Sequence, residues 1–104
     1  MPLRYNVPLK DILFATIDVL SFESHFKKID AEDVDAELLI SLINESSKFS
    51  ESTLAPLNTS GDIEGCSLFK GAVTTPSGFK EAFDEYRNGG WFSLSQPAAL
   101  NGQG

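Results

Sequence analysis

Helical apolar periodicity governs three stretches of this chain, and three amphipathic helices in 104 residues leave more apolar face than they can cover for one another. The first stretch runs from Pro8 to about Phe22. Leu9, Ile12, Leu13, Ile17 and Leu20 fall on one helix face there, and Pro8 suits a first helical position because its missing N–H would have no partner anyway. Ser21 to Ile29 reads as a short turn or helix fragment anchored by Phe22 and Phe26. The second helix is expected from about Val34 to Thr53, with Asp33 as its N-cap and Leu38, Leu39, Leu42, Ile43 and Phe49 as its buried stripe. Ser41, Ser46, Ser47, Ser50 and Ser52 are mediocre helix formers, so packing must hold this helix; Pro56 is expected to kink or end it, with room for a last turn after it.

The third helix is expected from about Pro76 to Asn88, where Phe79, Ala82, Phe83 and Tyr86 repeat at i, i+3, i+4 and i+7. Thr75 reads as its N-cap, Pro76 as its first residue and Gly89 as a left-handed C-cap. Asn58 to Thr75 reads as a loop with Ala72-Val73-Thr74 briefly extended, and Trp91 to Gly104 as a turn-rich tail. The expected fold class is therefore all-α: a partial bundle of about three helices with long loops. Loops of ~15 residues in a compact domain usually mark function or a missing piece.

Charge and composition remove several function classes. Fifteen acidic residues against eight basic ones give a net charge of −7, which repels a phosphate backbone and anionic lipid, so no nucleic-acid partner is expected. No apolar run approaches the ~18 residues of a membrane span. The start, Met1-Pro2-Leu3-Arg4, has neither a secretory nor a mitochondrial pattern, and the single cysteine excludes an internal disulfide, so a cytoplasmic location is expected.

The chemistry-bearing residues form no catalytic pattern. The acidic run of Asp30, Glu32, Asp33, Asp35 and Glu37 fails as a calcium loop, because Asp35 and Ser41 stand where Gly and Glu are required; it reads as a solvated helix start. His25 has no nucleophile in reach and reads as a structural residue beside Phe22 and Phe26. Cys66 has nothing nearby in sequence to activate it and reads as a packing residue. One Cys and one His cannot build a zinc site without several carboxylates. Asn44-Glu45-Ser46 and Asn58-Thr59-Ser60 match a glycosylation pattern, with no signal sequence to make it meaningful. Gly102-Gln103-Gly104 follows no βαβ unit and is no dinucleotide fingerprint. No Asp-Ser-Leu occurs, which removes an acyl carrier.

A set of ordered blocks is more specific. Lys48-Phe49, Leu54-Ala55-Pro56-Leu57-Asn58, GDIEGC at 61–66, Val73-Thr74-Thr75-Pro76, GFKEAF at 78–83, GGW at 89–91, Leu94, Pro97 and NGQG at 101–104 together resemble the N-terminal helical domain of the acyl-CoA dehydrogenases. Tyr5, VPLKDILF at 7–14 and IDVL at 17–20 resemble an extra N-terminal segment of a bacterial branch that includes methylthiopropanoyl-CoA dehydrogenase-like enzymes. The resemblance implies an extension at 1–33, an incomplete α-domain at 34–104 and a signature turn containing Gly90, Trp91, Pro97, Gly102, Gln103 and Gly104. Asn101 takes a place usually held by Gly, and Asn tolerates left-handed backbone better than most residues. Ser46, Ser47 and Ser50 replace small alanines, a mild change where they face solvent or bond back to the helix.

The resemblance further implies FAD in the full-length enzyme, an acyl-CoA substrate and an electron-accepting flavoprotein. The family's catalytic Glu lies in the C-terminal part, and the flavin is held mostly by a β-domain and a neighbouring subunit. No residue of this chain is therefore expected to be catalytic, flavin-binding or metal-ligating, and the chain alone is expected to bind no cofactor and to be inactive. Its expected role is scaffold behind the acyl pocket, with Trp91 and Phe92 packing at the junction and the bare helix faces driving homo-oligomerisation or aggregation. A non-enzymatic oligomerising or docking module derived from the same domain is the competing expectation.

Overall fold

The structure, a computed structural model, describes residues 4–31 and 33–104; Glu32 of the acidic run and the first three residues lie outside them. The chain is mostly helical, with one small two-stranded sheet. It divides into two compact units, residues 4–52 and 53–104, and the division falls within a π-helical stretch, Ser50–Leu54.

In the first unit, Pro8 leads into α1 (Leu9–Leu13), and its carbonyl accepts the Ile12 amide at 3.0 Å. The expected single helix from Pro8 to Phe22 is interrupted. Phe14–Val19 is π-helical, and the Leu20 amide bonds to Ala15, five residues back. Thr16 supplies a physical reason: its hydroxyl donates to the Ile12 carbonyl at 2.9 Å, taking an acceptor of the α-helical ladder. Ser21 is left-handed (φ 50°) and separates this segment from α2 (Phe22–Lys28).

α3 spans Ala36–Phe49. Its N-cap is Asp35, whose carboxylate accepts the Leu38 amide at 2.8 Å, and this corrects the expected cap at Asp33. The Ala36 amide finds its own acceptor in Glu23 of α2, at 3.2 Å. The expected stripe of Leu38, Leu39, Leu42, Ile43 and Phe49 is only half-buried, whereas Ser47 is buried. Ser46 bonds back to the Ile43 carbonyl at 2.9 Å.

The π-helical stretch Ser50–Leu54 precedes Pro56, whose ring crowds the carbonyl four residues earlier and whose nitrogen cannot donate to it. That residue is Ser52, and its own hydroxyl donates to the Lys48 carbonyl at 2.6 Å. The helix is widened at Pro56 instead of being ended, and α4 (Ala55–Glu64) opens the second unit with Pro56 in its first turn.

Asn58–Glu64 is therefore helical, against the loop expected there. Gly61 sits buried inside α4, and a Cβ on it would lie 2.6 Å from the Phe79 ring. The glycine permits close packing here and is no helix break. The hairpin β1 (Ser67–Phe69) and β2 (Ala72–Thr74) follows, paired antiparallel in the register Ser67 with Thr74, Leu68 with Val73 and Phe69 with Ala72. Lys70 and Gly71 turn it with φ of 50° and 78°, the positive pair that matches hairpin twist.

α5 runs over Phe79–Asn88. It starts later than the expected Thr75-Pro76 signal, after the left-handed Gly78, while Pro76 is buried. Ser77 is held through its amide and hydroxyl, each 2.9 Å from the Glu64 carboxylate. Gly89 is right-handed (φ −74°), and Gly90 (φ 80°) takes the left-handed position expected of Gly89. Two short 3₁₀ turns, Trp91–Ser93 and Ala98–Leu100, complete this unit.

Neither unit has a closed core. Besides Gly61 and Pro76, Val34 and Ala82 are the buried apolar residues among those described, and no large side chain is fully buried. The accessible surface is 8086 Å². Area scaling gives about 5,700 Å² for one folded monomer of this mass, and about 6,900 Å² even for two separate units of half the mass. The difference of about 1,200 Å² is surface that folded chains of this size ordinarily remove from water.

Candidate functional site

The second unit carries an apolar groove between the start of α4 and one face of α5. Leu54, Leu57 and Asn58 form one wall; Phe79, Ala82, Phe83 and Tyr86 form the other, around about 290 Å³. The i, i+3, i+4, i+7 spacing foreseen for α5 builds this wall, with buried Ala82 as its floor and Phe83, half exposed at 52%, as its rim. The two walls close on each other through glycines. A Cβ on Gly78 would lie 2.7 Å from Leu57 Cδ2, as one on Gly61 would strike Phe79.

The opposite face of α5 is charged. Asp84 accepts from Lys80 at 2.8 Å and from Arg87 at 3.3 Å. The Lys80 hydrogen bond holds the Asp84 carboxyl below its ordinary range, and the same bond raises the Lys80 ammonium above its own.

The segment from Trp91 to Gly104, where a signature turn is expected, is held by backbone hydrogen bonds. Asn101 is left-handed (φ 64°), a conformation that Asn tolerates better than most residues. The Gly102 amide donates to Pro97 at 3.1 Å, Gln103 to Leu94 at 3.1 Å and Gly104 to Gln96 at 2.9 Å. A Cβ on Gly102 would run into the carbonyl of Gln96, so only glycine fits. Trp91 is half-buried, and Phe92 meets Phe83 and Tyr86 edge-on at 5.5 and 5.0 Å, so the turn is tied to the groove's rim by aromatic contacts.

The remaining candidates converge on nothing. In the first unit Arg4, Asn6, Lys48, Glu51 and Ser52 line a polar depression, where Lys48 pairs with Glu45 at 3.0 Å and Glu51 accepts the Val7 amide at 2.7 Å. His25 is exposed with its ring 5.9 Å from that of Phe26. Cys66 is exposed, which corrects its expected packing role: it lies between the end of α4 and the hairpin, outside the groove. Among the described residues no group of three or more His, Cys, Asp or Glu could hold a metal, and no helix is long and apolar enough to cross a membrane. One wall of the groove was legible as α5's stripe, but the other was missed because Pro56 read as a kink or end of the second helix and Gly61 as part of a loop.

No known protein-family profile matches the chain. Comparison with curated proteins finds 34% identity over 106 aligned residues to the 3-methylmercaptopropionyl-CoA dehydrogenase of Ruegeria pomeroyi, spanning 98% of this chain and 17% of that enzyme. The chain therefore spans about a sixth of the relative's length. Along nearly its whole length this chain is a homologue of one stretch of an acyl-CoA dehydrogenase.

Proposed function

We propose that the chain is the N-terminal helical part of an FAD-dependent acyl-CoA dehydrogenase, with residues 1–33 as an extension and 34–104 as an incomplete α-domain. Its role is scaffold: α5 and the turn from Trp91 to Gly104 back the acyl pocket, while the rest of the enzyme carries the flavin and the catalytic carboxylate. Acyl-CoA would be the whole enzyme's substrate, an electron-accepting flavoprotein its redox partner and the cytoplasm its location.

One observation carries this reading: a chain similar to a sixth of a dehydrogenase leaves its apolar helix faces open. Part of a larger core is expected to look this way, because each amphipathic helix must find cover. Apart from Asn58 and Tyr86 the groove is lined by apolar side chains and presents no cation for a flavin's pyrophosphate, which supports a packing role for it. The chain's own contribution is therefore to position neighbouring helices and exclude water.

The test is reconstitution. The Ruegeria pomeroyi dehydrogenase lacking its matching stretch is mixed with the purified chain, FAD and 3-methylmercaptopropionyl-CoA, and bleaching of the flavin band is followed. Bleaching only when both polypeptides are present is the expected result. Bleaching by the chain alone, or none with the pair when the intact dehydrogenase is active, overturns the proposal.

A further inference from the structure

We infer that residues 65–76 form a strap fastened at its root by the Glu64 carboxylate, and that this clasp, more than the strand pairing, decides whether the hairpin is ordered. Glu64 is the last residue of α4, and Ser77 stands two residues before α5. One carboxylate oxygen accepts the Ser77 amide and the other its hydroxyl, each at 2.9 Å, across 13 positions of chain. Gly65 follows Glu64 and Gly78 follows Ser77, both at positive φ (69° and 90°), and they make the bends that carry the chain out of α4 and into α5.

The hairpin has little else to hold it. Its strands have three residues each, and a two-stranded hairpin by itself is at best marginally stable in water. Leu68 and Val73, paired across the strands on one face, stay 74% and 68% exposed, and Phe69 on the other face 71%. Lys70 lies 5.3 Å from the Phe69 ring centroid, an exposed contact of small worth. The clasp is stronger in kind. Hydrogen bonds to a carboxylate are roughly twice as strong as neutral ones, and tying the root removes chain entropy that favours an open loop. The buried Pro76, with its fixed φ, stiffens the same root. The hairpin's apolar side chains are therefore presented as a set only while the clasp is shut. Its opening leaves α4 and α5 in place, because the close approaches of Gly61 to Phe79 and Gly78 to Leu57 hold those helices independently.

Amide hydrogen exchange on the full 104-residue chain tests this. The cross-strand amides of Ser67–Phe69 and Ala72–Thr74 read the strap, and the amides of α5 read the helices. Glu64→Ala removes both acceptors, and Ser77→Ala removes one donor. Glu64→Gln keeps the clasp's shape: its amide oxygen accepts the Ser77 amide, while its NH₂ donates to a Ser77 hydroxyl turned the other way. We expect strap exchange at least about tenfold faster in Glu64→Ala and a smaller rise in Ser77→Ala. Glu64→Gln should stay within about threefold of the parent, and α5 should be unchanged in all three. Parent-like strap exchange in Glu64→Ala overturns the clasp. Equal acceleration of the strap and α5 overturns it as well, because the hairpin then opens only together with the helices. Exchange in Glu64→Gln as fast as in Glu64→Ala shows that the hydrogen bonds are not the hold, and it overturns the inference too.

Discussion

Replacing Gly102 by Ala should open the turn that closes the second unit. The new Cβ would meet the Gln96 carbonyl oxygen and lie 2.5 Å from that of Ser93, and both are backbone atoms that cannot swing aside. Overpacking of this kind costs about 1–3 kcal/mol. Moving the strand of chain away also lengthens the bonds from Gly102 to Pro97, Gln103 to Leu94 and Gly104 to Gln96, and losing one or two of them adds about 0.5–1.5 kcal/mol each. The local cost is then about 1.5–6 kcal/mol, or at least roughly tenfold in the opening constant at 1.36 kcal/mol per tenfold. Amide hydrogen exchange at Gln103 and Gly104 reads that constant directly. Gly71→Ala is the control: its Cβ meets nothing, and it is charged only for a positive φ, about 1–2 kcal/mol at the hairpin tip. If Gly102→Ala leaves exchange at Gln103 and Gly104 within about threefold of the parent, the close approach to Gln96 is refuted.

Asp35→Ala removes the carboxylate that accepts the Leu38 amide and should cost about 0.5–2 kcal/mol in urea unfolding, whereas Asp33→Ala should be near neutral. Gly61→Leu drives a side chain into the Phe79 ring and should destabilise by about 1–3 kcal/mol, measured the same way. For Asp84 the sign follows from its lowered pKa: the stabilisation is present above the ordinary value of 3.8 and is lost as pH falls through the depressed one. The raised Lys80 pKa makes its share present below 10.5 and lost at higher pH. An NMR titration of Asp84 should move upward in Lys80→Ala, and an unmoved curve would remove Lys80 as the cause.

Periodicity was the signal that read best, although it missed the π-helical interruption at Phe14–Val19. The stripe of Phe79, Ala82, Phe83 and Tyr86 placed α5 and one wall of the groove, and Asn88 was correctly its last residue. Signals that depend on context misled. Gly61 and Pro56 are ordinarily punctuation, yet Gly61 admits the Phe79 ring and a π-helical stretch absorbs Pro56, so α4 continued through both. Asp33 and Asp35 are equally good caps by residue type, and only the geometry of Leu38 separates them. Thr16 and Ser52 back-bonding inside the π-helical stretches has no periodic signature at all. The order of blocks from Lys48 to Gly104 carried the family likeness that comparison then showed, while the openness of the groove emerged only from the structure.

The central claim is that this chain contributes scaffold to a dehydrogenase and holds no flavin of its own. Flavin retention tests it most directly: the purified chain is incubated with excess FAD and passed through a sizing column, with flavin absorbance and apparent mass recorded together. The account predicts a protein peak free of flavin absorbance. A yellow peak with FAD in stoichiometric amount would contradict it and place a flavin site within these 104 residues.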